Sequence, residues 1–160
     1  MNLFSITTLP VLSGNLGLCP MPGKEGGLLA DVSQIVAWKP DLVLTLLEQG
    51  EMTALGVAGL PEELRKASIG WRHLPIPDFG TPKGNGWEPL AKEISTLLAR
   101  GGRVIIHCRA GCGRTGMIAA RLMVAVGEPP EIALSRLRTA RPCAIETKAQ
   151  MRWAFAGAVS

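Results

Sequence analysis

The sequence of 160 residues contains no tyrosine and only seven aromatic residues, three Phe and four Trp. Surfaces that bind single-stranded nucleic acids interleave aromatic and basic side chains, because the bases stack on the aromatic rings. A chain this poor in aromatic residues shows no such pattern, although its formal net charge is +4. We therefore expect no nucleic acid among its partners.

Cysteine is also scarce, with four residues at positions 19, 108, 112 and 143 and no Cys-x-x-Cys pair. Four dispersed cysteines are too few for a disulfide framework in a chain of this length, and the lack of a Cys-x-x-Cys pair argues against a zinc site. We therefore expect reduced thiols and no metal or other cofactor. Cys19 and Cys143 are interpreted as small buried apolar groups, which leaves room for another cysteine to be reactive.

Long hydrophobic runs are missing too. The most apolar helical stretch, residues 116–127, contains Arg121 and is too short to cross a bilayer. Residues 1–22 do not resemble a signal peptide, because they lack a cationic start and are interrupted by three prolines. These features predict a cytoplasmic protein without a membrane span.

The chain does contain enough apolar residues, 47%, for one core of ordinary size. Apolar runs typical of strands alternate with patterns typical of helices. The predicted strands are 3–6, 16–19, 41–46, 71–76 and 103–107, and the predicted helices are 31–38, 61–67, 88–100, 114–126, 130–139 and 146–156. This alternation predicts an α/β fold, a single domain over residues 1–160 with a central, mostly parallel sheet flanked by helices. We expect a monomer.

Positive charge is concentrated near the end of the chain. Residues 1–99 hold seven Lys and Arg against ten Asp and Glu, whereas residues 100–160 hold ten against three. Eight of those ten are arginines between positions 100 and 141, and the planar guanidinium of arginine suits phosphate and carboxylate. The last third of the chain is therefore expected to bind an anion.

The most informative segment lies between the predicted strand 103–107 and the predicted helix 114–126. It reads Cys108, Arg109, Ala110, Gly111, Cys112, Gly113 and Arg114. A loop at a strand-to-helix junction turns successive backbone amides and a helix N-terminus toward one point, which makes an anion site. The two glycines allow backbone angles that are closed to other residues. We call residues 108–114 the phosphate loop, and we expect all of its residues after Cys108 to line the site for the anion.

Two side chains in this region are suited to catalysis. A helix N-terminus and a neighbouring arginine can lower the pKa of a thiol to about 3.5–7.5, so Cys108 is expected to be a thiolate that attacks phosphorus, while Arg114 binds two phosphate oxygens. The leaving oxygen must be protonated as its bond breaks. Asp78 is the best candidate for this acid, because it lies in a loop with Gly and Pro hinges, residues 77–86, that can close over a phosphoester.

These residues resemble the cysteine-dependent protein phosphatases. The family signature His-Cys-x5-Arg-Ser/Thr matches His107, Cys108, Arg114 and Thr115. The length of the chain and the loop of residues 77–82 resemble most the small dual-specificity branch, and within it the relatives of cyclin-dependent kinase-associated phosphatase. The resemblance extends over about residues 16–155.

The resemblance implies a mechanism and a substrate class. Cys108 would form a phosphocysteine, Asp78 would act as acid and then as base, Thr115 would stabilise the departing thiolate, and Gln150 would help to position the attacking water. The expected substrates are proteins or peptides that carry phosphotyrosine, phosphoserine or phosphothreonine. Phosphoinositides stay open as alternative substrates, because phosphatases of the same superfamily that act on lipids also place cations in this loop, as Arg109 does here.

Three further interpretations of the loop were weighed. Residues 111–116 also satisfy Gly-x-Gly-x-x-Gly, the dinucleotide fingerprint, but too few residues follow for the rest of that fold. Sulfurtransferases of the rhodanese type also begin their active loop with Cys-Arg, yet that loop is shorter. A phosphopeptide-binding module without catalysis is disfavoured, because the nucleophile, the arginine and the acid are all present.

For several side chains around the loop, the sequence leaves two interpretations open. His107 is a satisfied buried imidazole, a group that tunes the thiolate, or both. Cys112, four positions after Cys108, could trap that nucleophile as a disulfide. Arg138 and Arg141 either widen the anionic surface for a substrate or lie as solvated residues at the end of a helix.

Overall fold

A mixed sheet of five strands lies at the centre of the protein, in a computed structural model that describes residues 3–156 and 158. The strands are β1 (Thr7–Val11), β2 (Gly14–Cys19), β3 (Leu42–Thr45), β4 (Gly70–His73) and β5 (Arg103–His107). They lie in the order β1-β2-β5-β3-β4, with β1 antiparallel to β2 and the other three pairings parallel. The prediction of an α/β fold with a mostly parallel sheet is confirmed.

Helices cover both faces of this sheet. They are α1 (Leu28–Trp38), α2 (Gln49–Ala54), α3 (Leu60–Lys66), α4 (Trp87–Ala99), α5 (Gly113–Ala125), α6 (Pro130–Ala140) and α7 (Lys148–Phe155). Buried residues of α1, α2 and α3 belong to one core cluster, and those of α4 to α7 belong to the other. None of the helices in the described part of the chain is long and apolar enough to cross a membrane.

The side chains of β5 supply both cores, because successive residues of a strand point to opposite faces. Val104 and Ile106 pack in the cluster that includes α4 and α5, whereas Ile105 packs in the cluster with Ile35 and Leu64. With both faces covered, β3 and β5 are almost entirely buried, which explains their continuous apolar sequences. This packing fixes the carboxyl end of β5 in the middle of the sheet.

The first strand differs from its prediction. Residues 3–6 are not a strand, and β1 instead follows them at Thr7–Val11. It contains Pro10, which pairs with Asn15 of β2; an edge strand tolerates proline because one side of it needs no ladder hydrogen bonds. A tight turn at Leu12, whose φ is 52°, then leads the chain into β2.

Two helices begin later or earlier than predicted. α1 starts at Leu28, and Asp31 accepts a hydrogen bond from the Gly23 amide at 2.7 Å instead of capping the helix. α7 starts at Lys148, after Thr147, whose side chain accepts the amide hydrogen of the third helical residue. The helix α2 has no counterpart in the prediction, because six residues are too few to show a hydrophobic period.

The fourth strand ends earlier than predicted and delivers the chain to the site. β4 stops at His73, because Pro75 has no amide to donate to the sheet. The amides of Leu74 and Ile76 still donate to carbonyls of residues 45 and 46. The loop that begins at residue 77 is therefore anchored beside the carboxyl ends of β3 and β5.

Candidate active site

The phosphate loop follows β5 directly and runs into the first turn of α5. Because β5 lies between the parallel strands β2 and β3, the loop occupies the carboxyl edge of the sheet, where α/β folds bind ligands. Cys108 lies at the base of the loop and is 3% exposed. Arg109 and Ala110, the next two residues, are exposed.

Hydrogen-bond donors on the outer side of the phosphate loop hold its backbone carbonyls. The carbonyls of residues 109–112 all accept hydrogen bonds at 2.7–3.0 Å. The Met21 amide donates to the carbonyl of Arg109, and the Gly116 amide donates to that of Cys112. Two guanidinium nitrogens of Arg141 donate to the carbonyls of Ala110 and Gly111. In a trans peptide unit the carbonyl and the following amide point in opposite directions. The amides of Ala110, Gly111 and Cys112 therefore face the inside of the loop.

Position 111 requires glycine for this shape, and a side chain at position 113 would meet those of Glu146 and Gln150. Gly111 has a φ of 73°, and a Cβ there would lie 2.6 Å from the backbone of Cys19. Gly113 approaches the carboxylate of Glu146 so closely that its amide donates to Oε1 at 2.8 Å. The Gly113 amide, which the sequence assigned to the anion site, is thus paired with a side chain of this protein. An oxyanion that uses this amide has to displace Glu146.

Arg114 is 1% exposed and makes most of its contacts with acidic or carbonyl oxygens. Its Nη1 donates to Glu51 Oε2 at 2.7 Å and to the Ile76 carbonyl at 2.9 Å, and its Nη2 donates to Glu51 Oε1 at 3.0 Å. The same Nη2 lies 3.3 Å from Asp78 Oδ1. The guanidinium therefore joins the phosphate loop to α2 and to the Asp78 loop.

Glu51 and Arg114 each shift the pKa of the other. Burial alone raises the pKa of Glu51, but the hydrogen bonds from Arg114 and the charge of that residue bring the pKa below its ordinary value. Burial alone lowers the pKa of Arg114, but the Glu51 hydrogen bonds and the neighbouring negative groups raise it. Both groups are therefore charged at neutral pH. No sequence pattern points to Glu51, which lies 63 residues before its partner.

Three buried polar atoms near the phosphate loop have no hydrogen-bond partner among the described residues. They are His107 Nδ1, Arg114 Nε and Thr115 Oγ1. Leaving a buried donor or acceptor unpaired costs about 1–3 kcal/mol, so such atoms are rare in folded proteins. An oxyanion bound in the loop would give Arg114 Nε the partner that it lacks.

Asp78 lies in the loop that follows β4, with 44% of its side chain exposed. Its Oδ1 accepts the amide hydrogen of Phe79 at 3.0 Å, and Phe79 has a φ of 62°. The Gly80 carbonyl accepts a hydrogen bond from Gln150 Nε2 at 3.2 Å. These contacts place the carboxyl group of Asp78 beside Arg114, at the mouth of the phosphate loop.

Gln150 is completely buried, and both ends of its amide group contact protein atoms. Its Oε1 accepts hydrogen bonds from the amides of Glu146 and Thr147 at 2.9 and 3.3 Å. Its Nε2 donates to Gly80. The structure therefore gives Gln150 a role in holding the Asp78 loop against α7, and its role in positioning water stays a prediction.

His107 is buried beneath the phosphate loop. Its Nε2 lies 2.6 Å from the hydroxyl of Thr45, which also accepts a hydrogen bond from the indole of Trp71 at 2.8 Å. Burial lowers the pKa of His107 to about 4. The imidazole is therefore neutral at physiological pH.

The lowered pKa of His107 predicts that the free energy of unfolding decreases at acid pH. Between pH 6.5 and pH 4 the unfolded chain binds a proton that the native imidazole does not, because the folded pKa is about 4. The free energy of unfolding should therefore fall as pH is lowered through this range, by up to about 3 kcal/mol. Urea unfolding of the wild type and of His107→Gln at pH 6.5 and 4.5 measures this dependence. Equal pH slopes for the two proteins, with His73→Gln as the matched control, would contradict it.

Removing the charge of Glu51 should destabilise the protein. In Glu51→Gln the buried guanidinium of Arg114 loses its bidentate partner, and we expect the free energy of unfolding to fall by about 2 kcal/mol. Saturating inorganic phosphate should restore part of the loss, because an oxyanion in the loop supplies the missing charge. Urea unfolding with and without phosphate tests this. Glu62→Gln is the matched control, because it removes an exposed ion pair with Arg65 that solvent screens, and it should leave the free energy of unfolding almost unchanged.

The structure corrects the expectation that all four cysteines are reduced. Cys112 and Cys143 form a disulfide, with their Cα atoms 5.1 Å apart, so the expectation of reduced thiols throughout is wrong. Cys143 is exposed rather than buried, and Cys112 is paired with it rather than with Cys108. A separation of 31 residues hides this pair from local pattern reading. Cys19 is buried as expected, and burial raises the pKa of its thiol.

The two arginines with open interpretations both donate to backbone carbonyls. Arg141 Nε and Nη2 donate to Gly111 and Ala110 at 2.7 and 2.8 Å. Arg138 donates to the carbonyls of Ala144 and Ile145. Arg138 is nevertheless exposed in the last turn of α6, whereas Arg141 is partly buried and contacts the phosphate loop from its outer side.

Comparison with known proteins identifies similar chains. A family model described as "Polymorphic toxin system, DSP-PTPase phosphatase" matches residues 39–128, more than half of the chain. Cyclin-dependent kinase inhibitor 3 from Rattus norvegicus is 31% identical over 134 residues, which cover 79% of this chain and 63% of that protein. The Homo sapiens protein of the same name is 28% identical, with the same coverage. The chain thus spans just under two thirds of these curated relatives.

Solved structures agree with this result. A crystal structure of kinase associated phosphatase with its catalytic-site cysteine changed to serine superposes with a TM-score of 0.87 at 26% identity, covering 96% of this chain and 93% of that one. The active form of Tk-PTP superposes with a TM-score of 0.72 at 26% identity, covering 92% of each chain. The similarity therefore extends over the sheet, the phosphate loop and the surrounding helices.

Proposed function

The chain belongs to the DSP-PTPase phosphatase family, and from this membership and the geometry of the phosphate loop we propose that it hydrolyses phosphate monoesters of proteins through a phosphocysteine. The observation that carries the proposal is the inward orientation of the loop amides above the buried Cys108. Donors fixed in advance at the site of developing charge stabilise a transition state without reorganisation. Arg114 adds a positive charge at the same place.

The first step transfers the phosphoryl group to sulfur. The Cys108 thiolate attacks phosphorus, the bond to the ester oxygen breaks, and Asp78 gives its proton to the departing oxygen. Arg114 turns Nε toward the equatorial oxygens, which supplies a partner for a buried atom that otherwise has none. The products of this step are the free alcohol or phenol and a phosphocysteine.

The second step releases phosphate. The Asp78 carboxylate takes a proton from water, the oxygen of that water attacks phosphorus, and the bond between sulfur and phosphorus breaks. Thr115 lies in the first turn of α5, and its unpaired hydroxyl can donate to the returning thiolate. Thiolate and inorganic phosphate are the products, and no oxidant, metal or other cofactor enters the balance.

A phosphorylated protein or peptide is the substrate class that we propose. A groove of about 580 Å³ adjoins Ala110 and is lined in part by Leu3, Phe4 and Met21. Such a groove gives room for the residues that flank a phosphorylated side chain. We further propose a monomeric, cytoplasmic enzyme that acts on phosphotyrosine as well as phosphoserine and phosphothreonine.

Phosphate release from a panel of substrates tests the proposal. We expect turnover of an aryl phosphate and of phosphopeptides, competitive inhibition by vanadate, and no effect of a chelator. Activity that a chelator abolishes would indicate metal catalysis instead. Release from phosphoinositides alone would shift the substrate class to lipids. Binding of phosphopeptides without any turnover would identify a recognition module.

A further inference from the structure

Arg141 lies against the outer side of the phosphate loop, away from its anion-binding face. Its backbone is fixed at the end of α6, where its amide donates to the Leu137 carbonyl at 2.7 Å. Its Nε and Nη2 donate to the carbonyls of Gly111 and Ala110, and Nη1 lies 3.5 Å from Thr7 Oγ1. All three nitrogens thus have a contact with protein atoms, and the side chain also lines the groove beside Ala110.

The two carbonyls that Arg141 holds decide where two amides point. The peptide unit that ends at Gly111 joins the Ala110 carbonyl to the Gly111 amide, and the next unit joins the Gly111 carbonyl to the Cys112 amide. Gly111 has a φ of 73°, and glycine reaches positive and negative φ with similar ease. Without an external tie, either unit can rotate and turn a carbonyl oxygen toward the anion.

We propose that Arg141 is a positioning residue, which keeps the Gly111 and Cys112 amides directed at the phosphoryl group by holding the carbonyls of Ala110 and Gly111 outward. This inference rests on the proposed function of the phosphate loop. A planar guanidinium is suited to the task, because its fork reaches two adjacent carbonyls at once. A lysine has its three donors on one nitrogen, so it lacks the rigid fork that spans the two carbonyls.

Phosphate affinity and amide shifts of Arg141→Ala and Arg141→Lys test the proposal. For Arg141→Ala we expect the competitive inhibition constant of inorganic phosphate to rise at least about tenfold, and we expect partial recovery in Arg141→Lys. In ¹⁵N spectra, phosphate should shift the Gly111 and Cys112 amides of the wild type strongly and those of Arg141→Lys weakly. Arg136→Ala is the matched control, because Arg136 lies on the same helix and contacts Glu128 and Pro10 instead of the loop.

The outcomes separate the two proposals. Wild-type phosphate affinity and wild-type amide shifts in both Arg141 variants would overturn the positioning role and leave the proposed function intact. A wild-type protein that neither binds phosphate nor hydrolyses an aryl phosphate would overturn both. If Arg141→Ala does not fold, the amide shifts of Arg141→Lys decide.

The Cys112–Cys143 disulfide is a second, independent tie between the loop and the segment that follows α6. Cys112 is the residue immediately before α5, so the bond fixes the point at which the loop becomes helix. Disulfides inside the cytoplasm are usually catalytic or redox-sensing. We infer that the oxidised form binds phosphate more tightly than the reduced form. Reduction by a dithiol breaks the sulfur–sulfur bond, gives two protein thiols and leaves the dithiol as its own disulfide.

This inference is tested in the Cys108→Ser background, where the nucleophile cannot itself be oxidised. Titration calorimetry with inorganic phosphate should show several-fold weaker binding after dithiothreitol treatment, with thiol counting to verify the reduction. Cys108→Ser combined with Cys143→Ser should bind like the reduced form, with or without dithiothreitol. Equal affinities of the oxidised and reduced proteins would overturn the inference. So would two free thiols at positions 112 and 143 after purification in air.

Discussion

Cys108→Ser is expected to lower the hydrolysis of an aryl phosphate at least about 10⁴-fold, because a neutral hydroxyl replaces the proposed thiolate nucleophile at the base of the phosphate loop. The fold should be unchanged, since serine and cysteine have similar shapes. Inorganic phosphate should still bind, because the loop amides and Arg114 keep their positions. Steady-state kinetics together with phosphate calorimetry measures both expectations.

Cys19→Ala is the matched cysteine control. The Cys19 thiol is completely buried and takes no part in the proposed steps, so this variant should retain its activity toward the aryl phosphate. If Cys108→Ser turned over the substrate at the wild-type rate, the nucleophile would be another group. If it lost phosphate binding as well, the effect would be on the shape of the loop rather than on chemistry.

Asp78→Asn is expected to slow hydrolysis by about 10²- to 10⁴-fold. The amide cannot protonate the leaving oxygen, so the loss should be larger for an alkyl phosphate, whose leaving group is strongly basic, than for p-nitrophenyl phosphate. The phosphate loop does not change, and we expect inorganic phosphate to bind as before or more tightly, since the negative charge 3.3 Å from Arg114 is removed. Measuring kcat of the wild type and of Asp78→Asn for both substrates shows whether the loss is larger for the alkyl phosphate.

Glu131→Gln provides the control for Asp78→Asn. Glu131 is exposed in the first turn of α6, at the opposite end of that helix from Arg141, and its replacement should leave both rates unchanged. An equal loss of rate for alkyl and aryl substrates in Asp78→Asn would contradict a role in protonating the leaving group. It would indicate that Asp78 only orients Arg114.

The sequence predicts those parts of the candidate site whose residues lie close together in the chain. Cys108 and Arg114 stand six positions apart between a strand and a helix, and this spacing is visible without a structure. Asp78 is predicted as the acid because it follows a strand and lies in a loop with Gly and Pro hinges, which is also a local pattern. The fold class followed from alternating strand and helix patterns, because each of those patterns is local.

The contacts that hold the candidate site in place are not predicted from the sequence, because they join segments that are distant in the chain. Glu51 is 63 residues from Arg114, and Arg141 is about 30 residues from the carbonyls it holds. Nothing in the local sequence of α2 or α6 indicates these contacts. The Cys112–Cys143 bond was missed for the same reason, because counting cysteines tells nothing about which of them meet in space.

The most direct test of the account is to capture the covalent intermediate. The wild-type protein would be mixed with an aryl phosphate, quenched in acid within milliseconds, digested and analysed by mass spectrometry. We expect one added phosphoryl group, about 80 Da, on the peptide that contains Cys108, and its loss when the quench is delayed until the substrate is consumed. Steady turnover with no phosphorylated peptide at any quench time, or with the phosphoryl group on another residue, would contradict a phosphocysteine mechanism.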